Sequence, residues 1–180
     1  LHTVLGDDVL VLRTLRGVEG LSRLSEYTLD LMSEADDIAA PEMLGTPVSI
    51  RIGPHRAKPR HVSGFVARFE RFPRPHEHTL TPYRATVVPW LWFLTLTADC
   101  RIFQRRSVLQ IVHDVLTDFQ RDGLLRSELV APAIYREREY CVQYRETCFN
   151  FLQRLLEDEG VYYYFDQHAD RHELVLANSP

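Results

Sequence analysis

Histidine is the side chain best suited to chemistry near neutral pH, and His55, His61, His76 and His78 fall close together in the chain. In an extended segment, His76-Glu77-His78 puts both imidazoles on one face. A zinc site needs three or four ligands at workable spacing, and no HExxH or CxxC pattern supplies the rest. Loop histidines flanked by proline and arginine are ordinarily solvated, so no metal-ligating residue is assigned. Cys100, Cys141 and Cys148 leave one thiol over in any pairing, which fits a reduced compartment better than a disulfide framework. Each lies in or beside an apolar stretch and reads as a small buried hydrophobe. A thiolate at Cys148 would gain from the start of a helix, yet no histidine or second thiol lies within motif distance.

Other reaction centres find no more support. There is no GxSxG, no GxGxxG and no GxxxxGK[ST]. A carbohydrate-binding or hydrolase domain is the reading from another class, and it would need convergent carboxylates. The acidic residues sit instead in loops and on helix faces. No catalytic or cofactor-binding residue is assigned, no cofactor is implied, and the expectation is a non-enzyme. Glu157, Asp158 and Glu159 fall in the last turn of a helix, where the dipole disfavours negative charge. They read as a solvated polar face or as partners of Arg154 or Arg145.

The elements that would position these residues are easier to read. Tyr140, Val142 and Tyr144 alternate with Cys141, Gln143 and Arg145, the period of a strand with one buried face. Thr147 can cap the next helix through its hydroxyl. Phe149, Leu152, Leu155 and Leu156, with Phe151 beside them, form its apolar stripe. Gly160 stops it, and Val161 to Phe165 returns as a strand. Ser107 and Gln110 make a capping box before Val108, Ile111, Val112, Val115, Leu116 and Phe119, which predicts a helix over 107–120 ending at Arg121-Asp122-Gly123.

Upstream the pattern is mostly β. Strands are expected at Val9 to Leu15, Tyr27 to Met32, Val48 to Ile52, His61 to Phe72 and Tyr83 to Val88, with a helical turn from Pro41 to Leu44 closed by Gly45. Gly64 marks a bulge or a close backbone approach. Loops are expected at Gly53 to Arg60 and Pro73 to His78. Short strands punctuated by Gly/Pro loops predict a small antiparallel barrel or sandwich. The dense run WLWFLTLT after Pro89 reads as a buried connection, and a boundary is placed near residues 89–100. The fold class is therefore α+β, mainly β: an antiparallel β-barrel over 1–95, then an α/β segment over 96–180. The closing ELVLA reads as a strand with no element after it, as in a piece of a longer protein.

With 180 residues and 45% hydrophobic content the chain can bury a sizeable core. Its net charge of -4 argues against nucleic acid and anionic membranes as partners. No run approaches the ~18–20 apolar residues of a membrane span. LHTVLGDDVL has none of the parts of a signal peptide.

Several landmarks in this order carry a family resemblance: EGLS at Glu19 to Ser22, Leu44-Gly45, HVSGFV from His61, Pro89-Trp90-Leu91, CRIFQ from Cys100, VQYRET and RLLEDEG. Over essentially the whole chain the sequence resembles the hub region of the VgrG spike proteins of bacterial type VI secretion and the related phage tail hub proteins (phage late control protein D-like). Cys148 departs from the acidic residue that relatives commonly carry there. The resemblance implies a structural role: a homotrimeric hub whose barrels build a ring that docks on the Hcp tube, with effectors and other baseplate components as further partners. It also implies assembly in the bacterial cytoplasm followed by secretion through the type VI apparatus. A phage or phage-like tail baseplate hub is the alternative.

Overall fold

The computed structural model describes residues 1–53, 58–74, 79–119, 125–128 (backbone) and 135–179. His55, His76 and His78, most of the two loops that hold them, the stop at 121–123 and Pro132 lie outside the described residues. The chain divides into two compact units.

The first unit comprises Leu1–Gly20, Leu24–Trp90 and Gln167–His172. Its body is a five-stranded sheet of β1 (Val11–Val18), β2 (Glu26–Ser33), β3 (Pro47–Ile52), β4 (Arg60–Arg71) and β5 (Thr81–Val88) in the order β1-β2-β5-β4-β3. All neighbours are antiparallel. The expected antiparallel barrel is thus a curled half-barrel with β1 and β3 as its edges. A single helical turn, α1 (Ala40–Met43), precedes β3, and Gly45 follows it at φ +73°.

Alternation explains which side becomes core. On β2, Tyr27, Leu29 and Leu31 are buried, while Thr28, Asp30 and Met32 between them are only half-buried. Val48, Ile50, Val62, Val66, Phe69, Tyr83, Ala85 and Val87 complete the apolar layer together with Met43 of α1. The rings of Phe69 and Tyr83 stack with centroids 5.3 Å apart.

β4 is the spine of this sheet. It pairs with β3 from Arg60 to Phe65 and with β5 from Phe65 to Arg71, and its register shifts between Val66 and Arg68. The extra residue, Ala67, bends the strand, as a bulge does. Gly64 is the close approach and not the bulge: a Cβ there would lie 2.7 Å from the Val88 carbonyl oxygen and 2.7 Å from Val87 Cγ1.

The second unit comprises Leu21–Arg23, Leu91–Asp166 and Glu173–Pro180. WLWFLTLT forms a 3-10 helix, Trp90–Thr95, with Leu91 and Leu94 buried. A strand that the sequence reading did not assign follows, β6 (Ala98–Phe103), and it pairs with β8 (Cys141–Thr147). α2 (Val108–Thr117) begins with the expected capping box: Ser107 Oγ accepts from the Gln110 amide, and Gln110 Oε1 accepts from the Ser107 amide at 2.9 Å. It ends at Thr117, short of 120, and leaves Phe119 outside. In α3 (Cys148–Asp158), Thr147 Oγ1 caps by accepting from the Asn150 amide at 3.1 Å, and Gly160 ends the turn at φ +66°. The buried stripe of α3 is Cys148, Phe151, Leu152, Leu155 and Leu156, with Phe149 half-buried. β7 (Leu125–Glu128), β9 (Tyr162–Gln167) and β10 (His172–Ala177) form a sheet ordered β7-β10-β9, with β7 and β10 parallel. The ELVLA strand is β10.

Because Gly64 faces backbone and a packed valine, neither of which yields cheaply, Gly64→Ala is expected to lower stability by about 1–3 kcal/mol. Urea unfolding checks this as a lower midpoint at unchanged slope.

Candidate functional site

The residues singled out for chemistry do not converge. Cys141 and Cys148 are buried inside the second unit, whereas Cys100 is exposed on β6. The expectation of a buried thiol fails at Cys100 because β6 alternates: Arg101 and Phe103 turn inward, so Cys100 and Ile102 face out. His61 lies half-buried on β4, in register with Arg51. The acidic end of α3 is paired by a residue the sequence reading passed over. Arg138 Nη2 lies 3.0 Å from Glu159 and 3.4 Å from Asp158, which also offsets the unfavourable dipole. Arg154 instead bonds Glu146 at 2.7 Å and the Val142 carbonyl at 2.8 Å. Arg145 stacks over Tyr144 at 5.2 Å.

Two polar clusters of the first unit are internally paired. Asp30 accepts from Thr14 Oγ1 at 2.6 Å and from Arg84 Nε at 2.8 Å, and these bonds hold its carboxyl below the usual range. Glu19 accepts from the Tyr27 hydroxyl at 2.6 Å and from Arg60. Burial, and then the bond to Glu19, push the Tyr27 phenol up. This trio lines an open cavity of about 220 Å³ with Leu15, Gly17, Ile52 and Val62. Such a node positions β2 and β4 through a neutral phenol and a paired guanidinium. It offers no free base or nucleophile.

The β6–β8 ribbon carries the more unusual surface. Its inner face packs on α3: the rings of Phe103 and Phe151 stack 5.7 Å apart, and Gln143 and Cys141 are buried. Its outer face exposes Ile102 (61%) and Tyr144 (65%), with Cys100 paired across from Tyr144. The burial is therefore inverted relative to hydrophobicity, with Gln143 inside and Tyr144 outside. A bulge follows directly. Asp99 pairs with Glu146 and Cys100 with Tyr144, which leaves Arg145 unpaired in the ladder at φ +52°. A non-glycine residue in that region costs roughly 1 kcal/mol or more. The bulge turns Arg145 outward beside Tyr144. Exposed tyrosine, arginine and aliphatic groups side by side form the composition enriched at protein–protein contacts.

The described residues thus offer paired polar clusters and an outward ribbon face that carries Ile102, Tyr144 and the positive-φ Arg145. The chain belongs to the phage tail baseplate hub (GPD) family, whose model matches residues 18–180. Among its relatives, the type VI secretion system spike protein VgrG1b of Pseudomonas aeruginosa is 42% identical over 97% of this chain and 23% of its own length. VgrG1a of the same organism is likewise 42% identical, over 97% of this chain and 26% of its own length. The chain thus spans about a quarter of the length of these relatives. Among solved structures, the E. coli c3393 protein superposes with a TM-score of 0.85 at 22% identity over 98% of this chain and 48% of that one. It is described as a component of the type VI secretion system with structural similarity to the T4 bacteriophage tail proteins gp27 and gp5.

Gln143 is fully buried; its amide donates to the Glu146 carbonyl at 3.1 Å, and its Oε1 has no hydrogen-bond partner among the described residues. Gln143→Glu would place an uncompensated charge there and remove the donor. The expected cost is about 3–5 kcal/mol at pH 7. Melting should recover as the solution is acidified into the range where a buried carboxyl is neutral.

Proposed function

We propose that this chain is a hub-building part of a type VI secretion spike, a structural component with no reaction to catalyse. The observation that carries the reading is 42% identity to two spike proteins across 97% of the chain. In this reading residues 1–95 form the first tube domain and 96–180 begin the next hub domain. Three copies surround the spike axis, the ring they build docks on the tube protein Hcp, and the assembly delivers effectors. Effectors and other baseplate components are the further partners. Nucleic acid is not among them. No helix among the described residues is long and apolar enough to cross a membrane. The protein would be assembled in the bacterial cytoplasm and exported through the type VI apparatus. The outer face of the β6–β8 ribbon is the surface offered to a second copy, since a threefold ring needs a patch on one copy to meet a different patch on the next.

A phage-like tail baseplate hub is the second reading, favoured by the description of the family that matches. Both readings share the fold and the symmetric assembly.

The test uses the full-length protein. Sedimentation is expected to give a trimer, and Ile102→Asp combined with Tyr144→Ala to shift it toward monomer. Both side chains face solvent here, so melting of this chain should change by no more than about 0.5 kcal/mol. A full-length wild-type monomer overturns the hub reading. A trimer indifferent to the double variant overturns only the assignment of the surface.

A further inference from the structure

β5 leaves β4 at the pair Val88–Phe65, because Pro89 follows and brings no amide to continue the ladder. Ser63 of β4 is therefore beyond the reach of β5. On the other side it opposes Ser49, whose own amide and carbonyl are turned away to His2. Ser63 is 3% exposed, so its backbone groups need partners from within the protein.

Two side chains of the Gln167–His172 segment supply them. Gln167 Oε1 accepts from the Ser63 amide at 2.8 Å and from its hydroxyl at 3.1 Å. His172, 2% exposed, hydrogen-bonds the Ser63 backbone and packs edge-on to Phe65 at 6.1 Å. Its Nε2 accepts from the Trp90 amide at 2.9 Å. An acceptor Nε2 fixes the tautomer: Nδ1 carries the proton and donates to the Ser63 carbonyl. The imidazole thus completes the ladder where a strand is missing, and it can do so only when neutral. A second proton has one place to go, Nε2, where it meets the Trp90 N–H head-on.

We propose that His172 is an acid-released latch: the neutral ring ties Ser63 of β4 to the Trp90 amide, and proton uptake at Nε2 frees the Gln167–His172 segment from β4. The charged and titratable groups on the elements packed around it are His61 of β4 and Arg51 across from it on β3. On its own hairpin they are Asp166, His168, Asp170, Arg171 and Glu173. None of these is a cause of its altered titration. Burial is the larger cause and lowers its pKa from 6.5 to about 4, against the opposing bond to Ser63. The folded state is thus the poorer proton binder. The stabilisation is complete above pH 6.5, is lost progressively as pH falls toward 4, and does not change further below that.

Hydrogen exchange at the Trp90 amide reads the latch directly. Its protection factor is expected to be constant above pH 6.5 and to fall about 150-fold by pH 4. His172→Gln keeps an acceptor for Trp90 and a donor for Ser63 without a titrating group, so its protection should be flat over that range. His61→Gln and His168→Gln should keep the wild-type profile. If His172→Gln does not fold, nitrogen NMR of the wild-type imidazole decides. A ring that titrates near 6.5 while Trp90 stays protected overturns the latch. So does a wild-type pH profile in His172→Gln, or a flat one in either control.

Discussion

The first unit is organised by the hydrogen-bonding demand of one strand. β4 runs for 12 residues, but β3 accompanies only its first half and β5 only its second, on opposite sides. A buried amide or carbonyl left without a partner costs about 1–3 kcal/mol. Two of the uncovered positions have acquired substitutes. Val66 exchanges bonds with Gly45 and Thr46, on the stretch leading into β3. Ser63 is served by Gln167 and His172. The bulge at Ala67 lies where β4 changes partners, and Gly64 keeps the crossing narrow enough for Val87 and Val88 to pack. A strand that switches neighbours halfway curls its sheet, and the half-barrel follows from that.

In the second unit the same economy appears in a helix and a ribbon. α3 starts directly from β8, so Thr147 is both the last ladder residue and the cap. The inward side chains of β8 are Cys141 and Gln143, and Gln143 spends its amide on the Glu146 carbonyl beside the bulge. Tyr144, next in the strand, faces solvent while this glutamine lies in the core.

Much of this architecture is legible in the residues. The capping box at Ser107, the Thr147 cap, the glycine stop at Gly160 and the alternation of β2 are local signals, and local geometry satisfies them. The parts that were not legible depend on distant segments. β6 was hidden because ADCRIF follows a long apolar run, although Cys100 and Ile102 already alternate with Arg101 and Phe103. The inverted face of β8 could not be read from hydrophobicity, since it depends on α3 packing over Cys141 and Gln143. Arg138 is 20 residues from Asp158, with nothing local to connect them. His172 carries no motif at all; its role comes from a ladder position that Pro89 leaves open.

The management of edges bears on what such a module is for. An exposed strand edge pairs indiscriminately with other chains unless it is blunted. The β3 edge is bridged by the chain's own His2, through bonds of 2.8 and 3.0 Å with Ser49. β1 is broken in register at Arg13, and it exposes Arg13 and Arg16 along its length. Each edge thus carries a feature that hinders casual pairing, although β1 also exposes Val11 and Val18. The β6–β8 ribbon is treated differently, for its outer face keeps bare isoleucine and tyrosine beside a strained arginine. Contiguous exposed apolar groups are the ones that mark contact surfaces. Hindered edges, together with an outward-facing apolar ribbon, accord with the assembly role proposed above.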